Sequence, residues 1–125
     1  MSRNKMDVRG KPRIRKLIAL LLFAPLLSAP PASATVVGSS GTVIQIISYP
    51  EFGAGDFVFR LSSYPPGCGG GFWPSPSQAG FKTTVAVILQ ARARGQSITV
   101  GGNDAAIWTG SNSPFCKVEW VVEVD

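Results

Sequence analysis

Beyond the first 34 residues, one stretch alone carries helical period, and short β-patterned runs lie on both sides of it. The stretch runs from Ser75 to Gly95. Ser75 suits an N-cap, Pro76 the first helical position and Gln78 the third, which together make a capping box. Phe81, Val85, Ile88 and Leu89 follow at i, i+4, i+7 and i+8, an apolar stripe of period 3.6. Arg92 and Arg94 lie where the helix dipole favours cations, and Gly95 suits a left-handed stop. The pattern predicts a helix from Pro76 to Arg94 with Phe81, Val85 and Leu89 turned inward. A single helix among strands restricts the chain to a mainly β class.

Gly41 to Tyr49 is rich in β-branched residues, with Val43, Ile47 and Tyr49 on one parity, and predicts a first strand. Thr35 to Ser40 reads as a mobile lead-in of small residues. The Pro-Gly turn from Pro50 to Gly55 leads to a second strand, Asp56 to Ser62, with Phe57, Phe59 and Leu61 on one face. Tyr64 to Gly71 holds two prolines and four glycines and excludes regular structure. Gly71 to Pro74 is a short third strand. After the helix, Gln96 to Gly101 is a fourth strand, Gly102 to Pro114 a polar loop and Phe115 to Val124 a fifth strand. In the fifth, Val118, Trp120, Val122 and Val124 share a face opposite Glu119, Val121 and Glu123.

The order is β-β-β-α-β-β, with the helix between strands three and four. Five short strands in so small a chain bury their apolar faces best by closing on themselves, with the helix stoppering one end. The expectation is a small five-stranded OB-like barrel. An open α+β sheet with the helix on one face is the alternative.

The leader has its own organisation. Seven of the twelve Lys and Arg fall within the first sixteen residues. An apolar run of about eleven residues follows, Leu17 to Leu27, and then the small-residue site Ala32-Ser33-Ala34. This reads as a secretory signal over 1–34, cut between Ala34 and Thr35. The alternative, a membrane anchor, needs about 20 apolar residues. Removing 34 of the 125 residues leaves a 91-residue domain, 35–125. Five bases and six acids remain, a net of −1, so the basic pI near 9.7 belongs to the leader. That balance lacks the cationic footprint of a nucleic-acid binder. The expected location is secreted or periplasmic, with no stable membrane insertion after cleavage.

Cys68 and Cys116 are the two cysteines, both in the exported part. An even count in an oxidising compartment predicts a disulfide. The alternative, a catalytic thiol, would lack its usual base, because the chain has no His.

A wider pattern becomes visible at Gly41-x-Val43-x-x-Ile46, Cys68, Trp73, Gly80-Phe81-Lys82, Gly95-Gln96-Ser97-Ile98-Thr99-Val100, Trp108-x-Gly110-Ser111 and Cys116-Lys117-Val118. In these positions, spread over nearly all of 35–125, the chain resembles small exported proteins similar to the binding (B) subunit of subtilase cytotoxin. The resemblance implies an OB-fold with a disulfide, glycan binding and a homo-oligomeric assembly. The family's sugar-contacting residues lie in no motif shared here, so none is transferred.

Catalysis has little to work with. No His is present to activate a Ser or Thr. Lys82 reads as a solvated helix residue, and Glu51 and Asp56 as ordinary turn residues. Asn103-Asp104 is too sparse for calcium. Neither metal nor cofactor is expected, and no enzyme activity. Binding has more: the polar loop carries Asn103, Asp104, Trp108, Thr109, Ser111 and Asn112, and Tyr49 ends the first strand nearby. Sugars are held by an aromatic platform with hydroxyl and amide partners. Trp108 is either that platform or a plug under the loop, and Trp73 is expected to pack on the disulfide. Two functions follow: a secreted or periplasmic binding module for a glycan or protein, or a structural envelope protein that binds a protein partner and no small ligand.

Overall fold

A computed structural model describes residues 33–124, with Gly10 and Ala29 as isolated positions. The basic leader and its apolar run, and so the expected signal sequence apart from its last residues, lie outside the described residues. The strands are β1 (Val36–Tyr49), β2 (Asp56–Leu61), β3 (Gly71–Trp73), β4 (Ser97–Ile107) and β5 (Phe115–Glu123). The helix α1 (Phe81–Arg94) lies between β3 and β4. The mixed sheet closes in the order β1-β2-β3-β5-β4, and β4 returns to β1. All pairs are antiparallel except β3 with β5. Closure excludes the open sheet and leaves the ring without a free end.

The length of β1 makes closure possible. Its first half pairs with β4, from Val36 opposite Asn103 to Thr42 opposite Ser97. Its second half pairs with β2, from Val43 opposite Leu61 to Tyr49 opposite Asp56. The expected mobile lead-in is therefore strand from Val36 onward: glycine and serine are weak strand formers, but the β4 ladder supplies their backbone partners. β4 likewise runs to Ile107 instead of stopping at Gly101, because β5 and β1 flank Gly102 and Asn103. The polar loop shrinks to 108–114.

Two bulges redirect side chains. Between Val43 and Gln45 the β1–β2 register slips by one. Val43 points inward, Ile44 is exposed, and Ile46 rather than Ile47 joins the inner core. In β5, Gly101 faces Trp120 while Gly102 faces Val118, so Glu119 is the extra residue. A one-residue insertion inverts every later position. Val121 therefore packs on the core, while Trp120, Val122 and Val124 are exposed, contrary to the single face expected for them with Val118.

The inner core holds Val43, Phe57, Phe59, Leu61, Phe72, Ile98, Val100 and Val118, with Ile88 and Ala91 of α1. Phe81 and Val85 pack against it, but Leu89 is exposed. The buried stripe is thus 81-85-88-91, and Leu89 falls on its solvent side. The helix also begins later than expected. Ser75 N–H does donate to Gln78 Oε1 at 3.0 Å, one half of a capping box. Gln78 Nε2, however, donates to Val118 O at 2.9 Å, which ties this turn to β5, and α1 starts after Gly80. The far end follows expectation. Gly95 is left-handed at φ 66°, its N–H bonds Arg92 O, and Gln96 N–H bonds Ala91 O. This double bond pattern is a Schellman stop. The Arg92 guanidinium donates to Val43 O, beside the β1 bulge.

At Gly71 (φ 128°) a Cβ would collide with the carbonyl oxygen of Phe59. Gly71→Ala is expected to lower the unfolding free energy by about 2 kcal/mol, read as a reduced urea midpoint. An unchanged midpoint would mean that the β2–β3 approach is looser than described.

Candidate functional site

Two segments meet at one edge of the ring, the β1–β2 turn over 50–55 and the loop over 108–114. Trp108 joins them. It is 3% exposed, its Nε1–H donates to Asp56 Oδ2 at 2.8 Å, and its backbone N–H donates to Phe115 O. Its ring centroid lies 5.2 Å from Tyr49, 5.5 Å from Phe52 and 5.6 Å from Phe115. Gly110 is required here because a side chain would overlap the indole. Val58, Trp108 and Phe115 form a second buried cluster, with Ile47, Tyr49 and Trp73 packed against it. Because β-strand side chains alternate, this cluster lies on the opposite face of the sheet from the inner core. Trp108 is therefore a core residue, without an open ring face for a ligand to stack on.

Asp56, expected to be an ordinary turn residue, is 5% exposed. Its Oδ1 also accepts from Ala54 N–H at 3.4 Å. A buried carboxylate needs such donors, and here they link the turn to the Trp108 loop. No local pattern in the sequence marks this pairing, since the two residues are 52 positions apart.

The other expected site residues scatter. Asn103 and Asp104 lie in β4, outside the loop. Asn103 Nδ2 donates to Glu119 Oε1 at 3.1 Å, and its Oδ1 accepts from Ala105 N–H. Asp104 Oδ1 accepts from Thr35 N–H at 3.1 Å. Thr109, Ser111 and Asn112 are exposed, and Ser111 Oγ accepts from Ser113 N–H. Tyr49 is half-buried against Trp108. Phe52, 42% exposed, is the aromatic that this edge offers to solvent, and among the described residues no concave pocket gathers these groups.

The Cys68–Cys116 disulfide is formed, with a Cα–Cα distance of 5.3 Å, and both residues are in the inner core. Trp73 does not pack on it as expected. In β3 it is Phe72 that turns toward the inner core, and Trp73 takes the other face.

Tyr64 and Phe52 are exposed aromatics, and so is Trp120, which the sequence pattern sets on one face with the buried Val118. Trp120 is 44% exposed. Its indole extends from β5 across Gly101 on β4, and its Cη2 reaches the space above Gly38 on β1. The three residues stand in one row of the sheet, since Gly38 faces Gly101 and Gly101 faces Trp120. The next row is Ser40, Thr99 and Val122, and Ser40 Oγ lies 2.7 Å from Thr99 Oγ1. Val36 and Val124 are also exposed, and the row of Val36 runs through Asn103 to Lys117, where the Lys117–Glu119 ion pair borders the face. The two glycines facing each other across β1 and β4 were the signal available in the sequence, legible only once the strands were paired. Among the described residues no helix is long and apolar enough to cross a membrane. Comparison with family models, with curated proteins and with solved structures returned no match.

Proposed function

We propose that the chain is an exported, OB-like binding module that takes a glycan on the outer face of β1, β4 and β5, with Trp120 as its stacking platform. The observation that carries this reading is the exposed indole lying across two facing glycines, next to a paired Ser40 and Thr99. A pyranose presents C–H groups on its faces and hydroxyls at its rim. An aromatic surface bordered by side-chain hydroxyls offers a partner to each. The closed order β1-β2-β3-β5-β4 with a helix after β3 is compatible with an OB-like barrel. The likeness to relatives of the subtilase cytotoxin B subunit points the same way. Export accords with the leader and with a buried disulfide. No catalytic role is part of the reading, since the chain contains no His to activate a nucleophile.

A glycan array on the oxidised chain beginning at Thr35 tests the proposal. Trp120→Ala is expected to keep the unfolding free energy within about 1 kcal/mol and to weaken glycan binding by about 30-fold. A signal that survives this change but is lost when Thr109, Ser111 and Asn112 are all made alanine would move the site to the loop. A second reading is favoured by the exposed Val36, Val122 and Val124. It makes the same face a docking surface for a protein partner. A silent array together with Trp120-dependent association in light scattering would select it.

A further inference from the structure

The start of β1 carries a contact that acquires a new chemistry once the leader is removed. Thr35 and Asp104 bond each other twice. Thr35 N–H donates to Asp104 Oδ1 at 3.1 Å, and Asp104 N–H donates to Thr35 O at 3.2 Å. The adjoining ladder pair is Val36 opposite Asn103. The nitrogen that meets the carboxylate is the nitrogen of the Ala34–Thr35 peptide bond. Residues 33–35 are exposed and belong to no strand or helix, so this bond is open to a peptidase. We infer that Asp104 is the receptor for the new N-terminus of the processed chain, and that cleavage converts its hydrogen bond to Thr35 into an ion pair that fastens β1 to β4.

The inference rests on the export reading, with the cut between Ala34 and Thr35. The chemistry is hydrolysis. Water adds across the Ala34 C–N bond, the leader leaves with a carboxylate on Ala34, and Thr35 takes up a proton as an α-ammonium. Before the cut the nitrogen offers a single neutral N–H. Afterwards it offers three N–H groups and a positive charge to a carboxylate already at hydrogen-bond distance. Charge-assisted bonds of this kind are about twice as strong as neutral ones. The second bond, from Asp104 N–H to Thr35 O, does not involve the cut nitrogen. It holds the Thr35 backbone in place, so the ammonium stays beside its partner. The bulge that carries Asp104 past Lys117 accounts for its freedom to turn toward β1, since β4 has no β5 partner between Asn103 and Ile107.

The consequence is a fold that tightens on processing. A strand end frays when nothing holds its first residues, and here the first ladder pair lies next to the clasp. The same segment also carries Gly38 and Val36 of the Trp120 face, so the clasp fixes one border of that surface.

The test compares two chains released from cleavable fusions, one beginning at Thr35 and one at Pro31, four residues earlier in the sequence. Each is made with and without Asp104→Asn, which keeps a neutral acceptor and removes the charge. In the Thr35 chain the substitution is expected to lower the melting temperature by about 3 °C. In the Pro31 chain it should change it by less than about 1 °C. Acetylating the N-terminus of the Thr35 chain should abolish the difference. Equal shifts in both chains, or a shift that survives acetylation, would show that Asp104 serves the backbone alone and would overturn the inference. The intact mass of the exported protein reads the cut separately. A mature chain that begins elsewhere would overturn the inference through the export reading, whatever the melting series gives.

Discussion

Trp108→Ala is expected to cost about 4 kcal/mol of folding free energy, a large part of the stability of a domain of this size. Two losses combine. The indole is the hub of the outer cluster, touching Tyr49, Phe52 and Phe115, and its removal opens a cavity between two loops that cannot both collapse. The Asp56 carboxylate, 5% exposed, also loses its indole donor. Leaving a buried acceptor unmatched costs about 1–3 kcal/mol by itself. Trp108→Phe separates the two, because it keeps a ring and removes the N–H. That variant should lose about 2 kcal/mol, and Asp56→Asn in the same chain should recover part of it by removing the buried charge. Urea unfolding followed by circular dichroism gives all three values. A loss below about 1 kcal/mol for the alanine variant would return Trp108 to the surface and reopen the loop as a site.

Reducing the Cys68–Cys116 bridge is the second large effect. The two residues are 48 positions apart, and a loop of that length confers about 4 kcal/mol in the chain-entropy view. The place of the bridge raises its importance. The ring closes through β3, which has three residues, pairs with β2 at one position and lies parallel to β5 over three. Parallel pairing so short is weak, and the segment before it, from Tyr64 to Gly70, has no regular structure. The disulfide fastens that segment to Cys116, which is opposite Phe72. The melting temperature should fall by about 20 °C in reductant. Amide exchange at Phe72 and Cys116 should accelerate more than at Val100 or Phe59. Calorimetry with and without reductant checks the first expectation. Coincident transitions would mean that the β3–β5 closure holds without the covalent link.

The parts of this fold that the sequence disclosed are local. Gly95 and Gln96 specify a Schellman stop through bonds that span one helical turn. Phe57, Phe59 and Leu61 alternate along a strand too short to slip. The Cys68–Cys116 pair needed only an even count of two. The site was less legible, because the three tryptophans exchange roles. Trp108 sits among Asn, Ser and Gly and looks exposed, yet it is buried by a partner 52 residues away. Trp120 sits in an alternating apolar run and looks internal, yet it is turned outward. A single extra residue, Glu119, separates the two outcomes for β5, and nothing in its neighbours announces it.

The sequence by itself determined one amphipathic helix, where it ends and which β2 residues point inward, because bonds within a turn and period-two alternation settle those matters over a few residues, and it determined the disulfide because two cysteines allow one pairing. Tertiary structure decided where β1 begins, how far β4 extends, which tryptophan meets solvent and where the nitrogen of Thr35 comes to rest. Those depend on which strand supplies the opposite ladder. The pairing is chosen between segments tens of residues apart, and a shift of one position there inverts the face of every side chain beyond it.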